Sequence, residues 1–228
     1  MKGKLDTGSS IFSIMTELSN ECDAINLSQG FPGFNPDSRL LDMVCKYIQG
    51  NNNQYAPMAG VPALQECIAT KIEKFYGRVI NASQEITICD GATEALFSII
   101  QAAVHPEDEV IVFDPAYDNY APAIVLAGGI TRHIPLIRSK ERTDYHIDWQ
   151  RLRDTINDKT KLIILNFPHN PTGAILKAED LDILADILRE TSIYLMSDEV
   201  YEHIVFDSQK HLSLASHDEL WERSFVIS

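Results

Sequence analysis

From about residue 85 onward the chain alternates between short apolar segments and segments with helical periodicity. Several apolar segments are continuous rather than alternating with polar residues, namely 110–113 (VIVF), 162–165 (LIIL) and 193–196 (IYLM). Continuous apolar runs of this length are typical of strands buried on both faces, as in a parallel sheet. Alternating strands and helices favour helices on both faces of that sheet. The sequence therefore predicts an α/β fold, a three-layer sandwich around a mostly parallel sheet.

The individual elements follow from apolar periodicity and from turn residues. One helix, for example, is marked by Pro62 in its first turn and by Gly77 just after its last residue. The predicted strands cover 86–89, 110–113, 130–137, 162–165, 193–196 and 225–227, and the predicted helices cover 37–49, 61–76, 92–104, 117–127, 148–157 and 178–190.

Charge and composition limit the partners. The formal net charge is −14 at pH 7, and an acidic surface repels nucleic acids and anionic membranes. No apolar run approaches the roughly 18 residues that span a bilayer, and residues 1–6 (MKGKLD) lack the apolar core of a secretion signal. No Cys-x-x-Cys motif or histidine pair has metal-ligand spacing. The sequence predicts a cytoplasmic protein with no metal site and no nucleic-acid or membrane partner.

Three motifs follow predicted strands, where ligands bind in open α/β sheets. They are 90–94 (DGATE), 166–173 (NFPHNPTG) and 197–202 (SDEVYE). The first opens a helix, so its free N–H groups and the Thr93 hydroxyl can bind an anion. Each motif taken alone also fits an ordinary turn or helix cap. The dinucleotide fingerprint G-x-G-x-x-G and the Walker A loop are absent.

Asp198 lies at the predicted end of a buried strand. An unpaired carboxylate there is costly, so it needs a cationic partner or a proton. The N–H of a protonated pyridine ring is one such partner, and a helix cap at a strand–helix junction is the alternative. Tyr55 and Tyr117 stand in loops, where an aromatic side chain either packs or contacts a ligand.

The order and spacing of these motifs resemble the fold-type I, pyridoxal phosphate (PLP)-dependent aminotransferases of class I and II. Within that family the chain most resembles the methionine and kynurenine–glutamine aminotransferase branch. The resemblance covers roughly residues 10–228. It is carried by the segments 25–34 (INLSQGFPGF), 53–60 (NQYAPMAG), 91–97 (GATEALF), 114–122 (DPAYDNYAP), 169–173 (HNPTG) and 197–203 (SDEVYEH).

The resemblance implies pyridoxal 5′-phosphate as the cofactor. Its phosphate would be held by Ala92 and Thr93, and its ring would stack on Tyr117. Asp198 would pair with the pyridine nitrogen, which keeps the ring electron-withdrawing. The ring oxygen would accept hydrogen bonds from Asn170 and Tyr201.

The resemblance also implies contacts beyond the cofactor ring. Tyr55 would reach the phosphate of a partner subunit in a homodimer. Gly30 and Asn170 would lie near the substrate carboxylate, and the bond between Asn170 and Pro171 would be cis. Residues 1–50 are expected to form an N-terminal arm with part of a small domain, and residues 51–228 a partial large domain.

The activity that the resemblance implies is transfer of an amino group from an amino acid, methionine-like or aromatic, to a 2-oxo acid. The lysine that binds the cofactor covalently and moves the proton is expected beyond Ser228, as are the arginine for the substrate carboxylate and the C-terminal small domain. The 228-residue chain is therefore expected to be inactive. The alternatives are a non-catalytic binding or interaction module, a second polypeptide that supplies the lysine, and a related C–S lyase, which only its products would distinguish.

Overall fold

The structure, a computed structural model, describes residues 11–30, 32–138 and 144–228. The chain divides into two compact units, Met1–Pro57 and Met58–Ser228. The expected division at residue 50 into an N-terminal segment and a partial large domain stays a prediction. Residues 1–10 of that segment and Phe31 of the 25–34 motif lie outside the described residues.

The first unit contains two helices, α1 (Ile11–Glu21) and α2 (Ser38–Gln49). Helix α2 agrees with the prediction and begins after Asp37, whose carboxylate accepts a hydrogen bond from the Arg39 N–H at 2.9 Å. Helix α1 was not predicted. Neither helix has a buried residue, so the described part of this unit forms no core of its own.

The second unit begins with three helices, α3 (Pro62–Tyr76), α4 (Ala82–Glu85) and α5 (Gly91–Ala103). As predicted, α3 ends at Gly77, which has a left-handed φ of 71°. Gly60 is also needed as glycine, because a Cβ at its φ of 111° would lie 2.2 Å from Cγ1 of Ile88.

The predicted strand at residues 86–89 is wrong, since these residues form neither a strand nor a helix. Their backbone groups bond to a loop and a side chain instead of a neighbouring strand. The Ile88 N–H donates to the Ala59 carbonyl at 2.9 Å. The Ile86 carbonyl accepts from the buried Gln65 amide at 2.8 Å.

The main sheet has five strands in the order β2-β1-β5-β6-β7, and every neighbouring pair is parallel. A separate antiparallel pair, β3-β4, follows β2, because residues 137 and 138 turn from the main sheet to bond with residues 145 and 146. The strand predicted at 130–137 is therefore two strands. The bounds are β1 Glu109–Asp114, β2 Ile130–Pro135, β3 Ile137–Arg138, β4 Tyr145–His146, β5 Thr160–Asn166, β6 Tyr194–Asp198 and β7 Ser224–Ile227.

Successive residues of the central strands point to opposite faces of the sheet and build two separate cores. Ile163 of β5 belongs to the core that is covered by α7 (Trp149–Thr155) and α8 (Ala178–Leu188). Ile164 belongs to the core that is covered by α5 and α6 (Tyr120–Leu126). The three-layer α/β sandwich predicted from the sequence is confirmed.

Two differences from the prediction concern helices. Helix α6 begins at Tyr120 rather than at Tyr117, which leaves Tyr117 in the loop after β1. A 3₁₀ turn (Leu214–Ser216) and the short helix α9 (Asp218–Trp221) precede β7 and were not predicted. Among the described residues no helix is both long and apolar enough to cross a membrane.

Candidate functional site

The carboxyl ends of the parallel strands meet at one edge of the sheet, and three predicted site residues lie in the segments there. Tyr117 follows β1, Asn170 follows β5, and Asp198 is the last residue of β6. Tyr201, a fourth predicted site residue, lies three residues after β6. Parallel pairing therefore brings these four residues to one edge, although they are spread over more than eighty sequence positions.

Asp198 is only 5% exposed, and its two oxygens have different surroundings. Oδ2 accepts a hydrogen bond from the Tyr120 hydroxyl at 2.5 Å. Oδ1 is buried and has no hydrogen-bond partner among the described residues. Burial raises the pKa of Asp198, while hydrogen bonds from Tyr120 and the Val200 N–H act in the opposite direction. A buried acceptor without a donor fits a ligand that brings an N–H or a positive charge.

Tyr120 was not singled out from the sequence, yet it touches two of the predicted residues. Its side chain is buried, and burial raises its pKa, with the Asp198 carboxylate adding to the effect. The hydroxyl therefore keeps its proton and donates a hydrogen bond to Asp198. Its ring lies edge-on to the Tyr117 ring, with centroids 5.5 Å apart and an interplanar angle of 79°.

Asn166, the last residue of β5, connects the ends of two neighbouring strands. Its buried amide nitrogen donates to the Asp198 carbonyl at 3.2 Å. Its side-chain oxygen accepts from the Asn170 N–H at 3.1 Å. One side chain thus fixes the backbone of two predicted site residues.

His169 joins the loops after β1 and β5. Its buried ring carries Nδ1 2.9 Å from the Thr172 hydroxyl, and the ring also bonds to the backbone of Pro115. Because proline has no N–H, that bond is to the carbonyl, so the ring donates to Pro115 and accepts from Thr172. Burial lowers the pKa of His169 to about 4, which keeps the ring neutral at pH 7.

The peptide bond between Asn170 and Pro171 is cis, which confirms the prediction for this loop.

Asn170 and Tyr201 line an open cleft of about 380 Å³. Apolar side chains, including Ile175, Val205 and Phe206, also line the cleft.

The start of α5 has the features of an anion site. Gly91 has a φ of 79° and open space where a side chain would be. The Asp90 side chain does not cap the helix, and the Glu94 carboxylate accepts from the Asp90 N–H instead. The N–H groups of the first turn, which includes Ala92 and Thr93, are therefore left for a ligand.

Tyr55 and Gly30 belong to the first unit. The side chain of Tyr55 is fully exposed there. Gly30 is exposed too, with no atom within 4 Å of the position where a Cβ would be. Their roles near a phosphate and a substrate stay predictions.

Sequence reasoning missed Tyr120, Asn166 and the function of His169. Tyr120 stands within the 114–122 motif, and Asn166 directly follows the apolar run of β5, so both positions carried a local signal. The sequence does not show which residues these two contact, because Tyr120 and Asp198, for example, lie 78 positions apart.

Comparison with known proteins agrees with the fold and the motifs. The sequence model of the family described as aminotransferase class I and II matches residues 23–226. The methionine aminotransferase of Escherichia coli is 43% identical over 97% of this chain and 56% of its own length. Human kynurenine–oxoglutarate transaminase 3 is 37% identical over 96% of this chain and 50% of its own length.

Solved structures give the same result. The crystal structure of YbdL from Escherichia coli, reported with a methionine aminotransferase function, superimposes with a TM-score of 0.90 and 42% identity, covering 99% of this chain and 58% of its own. N-succinyldiaminopimelate aminotransferase from Mycobacterium tuberculosis superimposes with a TM-score of 0.91 and 34% identity, covering 96% and 56%. The chain spans about half the length of the curated relatives it matches. By sequence and by fold, the chain belongs to the class I and II aminotransferases, a family that depends on pyridoxal 5′-phosphate.

Proposed function

We propose that these residues form the pyridoxal phosphate-binding edge of an enzyme that transfers an amino group from an amino acid to a 2-oxo acid. The observation that carries the proposal is the buried Oδ1 of Asp198, which has no partner among the described residues. A protonated pyridine nitrogen fits this oxygen in charge and in hydrogen bonding. Because the chain spans about half of its relatives, the transfer reaction is proposed for a protein with their complete architecture.

The phosphate end of the cofactor is assigned to the start of α5. The backbone N–H groups at Ala92 and Thr93, with the Thr93 hydroxyl, would bind the phosphate oxygens. Gly91 leaves open space beside that turn, so an anion can approach the backbone. The positive end of the helix dipole favours a dianion at the same place.

The ring end is assigned to the strand edge. Tyr117 would stack on the ring, Asn170 and Tyr201 would hydrogen-bond the ring oxygen, and Asp198 would pair with the ring nitrogen. When bound, the cofactor withdraws electrons from the amino acid and so acidifies its Cα proton. The residues of this chain would keep the ring nitrogen protonated and hold the ring in one plane.

We assign Gly30 and Asn170 to the substrate, and a methionine-like or aromatic amino acid as the donor. The apolar residues Ile175, Val205 and Phe206 in the cleft that Asn170 and Tyr201 also line support an uncharged donor side chain. The names of two relatives, a methionine aminotransferase and a kynurenine–oxoglutarate transaminase, agree with this class. The proposal includes a homodimer in which Tyr55 of one subunit binds the phosphate held by the other.

Binding of pyridoxamine 5′-phosphate to the 228-residue chain tests the cofactor site. This probe has no aldehyde, so it does not react with surface lysines. We expect Asp198→Asn to raise its Kd about tenfold or more, since a charge-assisted hydrogen bond becomes a neutral one. The matched control is Asp186→Asn, at an exposed position of α8. Equal affinity in the wild type and the Asp198 variant would contradict the assignment.

The products test the reaction separately. In a protein with the complete architecture of the relatives, supplied with methionine and a 2-oxo acid, a keto acid that retains sulfur indicates transfer, whereas release of a thiol indicates lyase chemistry. Probe binding without either product supports the non-catalytic binding module. These outcomes are read by mass spectrometry of the reaction mixture.

A further inference from the structure

We propose that Tyr120 is a positioning residue for the cofactor: its hydroxyl fixes one oxygen of Asp198 so that the other faces the ring nitrogen, and its ring braces Tyr117. The proposal rests on the proposed function, because it assigns Tyr120 a task at the same site. No residue of the 114–122 motif other than Tyr117 had been given a role from the sequence.

The hydroxyl contact determines the orientation of the carboxylate. The Tyr120 oxygen lies 2.5 Å from Oδ2 of Asp198, and both residues are buried. A carboxylate held at one oxygen cannot rotate freely, so Oδ1 keeps a fixed direction. Oδ1 is also the oxygen without a partner among the described residues. With Oδ2 bonded to Tyr120, Oδ1 is the oxygen of Asp198 that remains for a ligand.

The surrounding charges make this donor important. Burial raises the pKa of Asp198, and the charge of the next residue, Glu199, adds a smaller increase. Glu199 itself is held by the Ser197 hydroxyl, His211 and the Leu214 N–H. Against these effects, the Tyr120 hydroxyl and the Val200 N–H favour the ionised form of Asp198. The phenols of Tyr117 and Tyr201 also lie close enough to interact with Tyr120.

The ring contact extends the task to the stacking residue. Tyr117 follows β1 in a loop and is only half-buried, so its ring needs support from one side. The edge of Tyr120 provides that support at 5.5 Å between centroids. The Tyr117 hydroxyl is fixed separately, since it accepts from the Asn119 amide at 2.9 Å.

Two substitutions separate the two contacts. Tyr120→Phe removes the hydroxyl and keeps the ring, whereas Tyr120→Leu removes both. The matched control is Tyr194→Phe, which makes the same chemical change at the other end of β6, where the ring packs on Phe225. Near-ultraviolet circular dichroism and the urea midpoint of each variant report whether it is folded.

The first measurement is the pKa of Asp198 in the cofactor-free chain, by carbon-13 NMR of labelled aspartate, with Asp198→Asn identifying the signal. We expect Tyr120→Phe to raise this pKa, because the ionised form loses a donor, and Tyr194→Phe to leave it unchanged. A pKa that is the same in the wild type and Tyr120→Phe would overturn the proposal. This result does not depend on whether the chain binds the cofactor.

The second measurement is the Kd for pyridoxamine 5′-phosphate as a function of pH. We expect Tyr120→Phe to weaken binding about tenfold at pH 7.5 and to move the acid limb of the profile to higher pH. Tyr120→Leu should weaken it further, and this additional loss should vanish in a Tyr117→Ala background. Unchanged binding by folded Tyr120→Phe contradicts the proposal. Failure of the wild type to bind the probe contradicts the proposed function instead.

Discussion

At the scale of single residues, the buried carboxylates at the two edges of the sheet differ in their hydrogen bonding. At the carboxyl edge Asp198 has an oxygen with no partner in the part of the chain that the structure describes, and burial raises its pKa. At the opposite edge Glu109, the first residue of β1, has both oxygens occupied by Arg132 and by the Asn157 amide. A buried polar group without a hydrogen bond lowers the stability of the fold, whereas hydrogen bonds offset the cost of burying such a group. The incomplete pairing lies at the edge that carries the site.

The hydrogen bonds of Glu109 with Arg132 and Asn157 are expected to make the stability of the fold depend on pH. The hydrogen bond from Arg132 lowers the pKa of Glu109 to about 2, with Asn157 adding to the effect and burial opposing it. A lowered folded-state pKa stabilises the fold above the unfolded pKa, and this is lost as pH falls through the folded value. We expect Glu109→Gln to reduce the free energy of unfolding by about 1–3 kcal/mol at pH 7.

Urea unfolding of the second unit at several pH values measures this effect. The difference between the wild type and Glu109→Gln should narrow as pH falls from about 4.5 toward about 2, where the wild-type carboxyl also becomes neutral. Glu179→Gln, at an exposed position in the first turn of α8, serves as the control. A difference that stays constant with pH would show that the charge of Glu109 is not the source.

At the scale of elements, a strand's place in the sheet sets its contribution to stability. Strand β5 is central, and Ile163 is fully buried there, whereas β2 is an edge strand and Ile130 is 40% exposed. We expect Ile163→Ala to lower the free energy of unfolding by about 2–5 kcal/mol, because it leaves a cavity. The same change at Ile130 should cost less than about 1 kcal/mol.

Chemical denaturation compares this pair directly, since the two variants lose the same atoms. Equal losses in the two variants would mean that the sheet order does not control the energetics. The slope of the transition should be the same in both, which checks that neither variant unfolds through an intermediate.

A helix or strand could be predicted from the sequence where its local pattern matches the way the element packs in the fold. The continuous apolar run 162–165 became β5 because both faces of that strand are covered. Residues 86–89 (ITIC) are also mostly apolar, but their backbone groups bond to Ala59 and Gln65, and no local pattern reveals partners so far away. Tyr120 falls in the first turn of the helix predicted at 117–127 and is the first residue of α6. Recognition of the site motifs needed the family resemblance, since each motif alone fits an ordinary turn.

At the scale of the whole molecule, burial is concentrated in the second unit. Every buried residue among the described positions lies in Met58–Ser228, while α1 and α2 of the first unit have none. A twelve-residue helix without a buried face is marginally stable in water. We expect amides of α2 to exchange with deuterium at least about a hundredfold faster than amides of β5.

Hydrogen exchange followed by mass spectrometry checks this expectation on the 228-residue chain. The exposed helix α3 is an internal control, because it lies in the second unit and its Gln65 is buried and hydrogen-bonded. Protection of α2 equal to that of β5 would mean that α2 is stabilised by contacts that the burial pattern does not reveal.

The Asn166 side chain gives the sheet a property useful to a protein engineer. It ties the backbone of Asp198 to that of Asn170 from the last residue of a buried strand. The relative positions of these two backbone segments are therefore set by the sheet. Under the proposed function, residues along the neighbouring cleft, such as Val205 and Phe206, can be randomised in search of new donor preferences while Asn166 continues to hold the two segments.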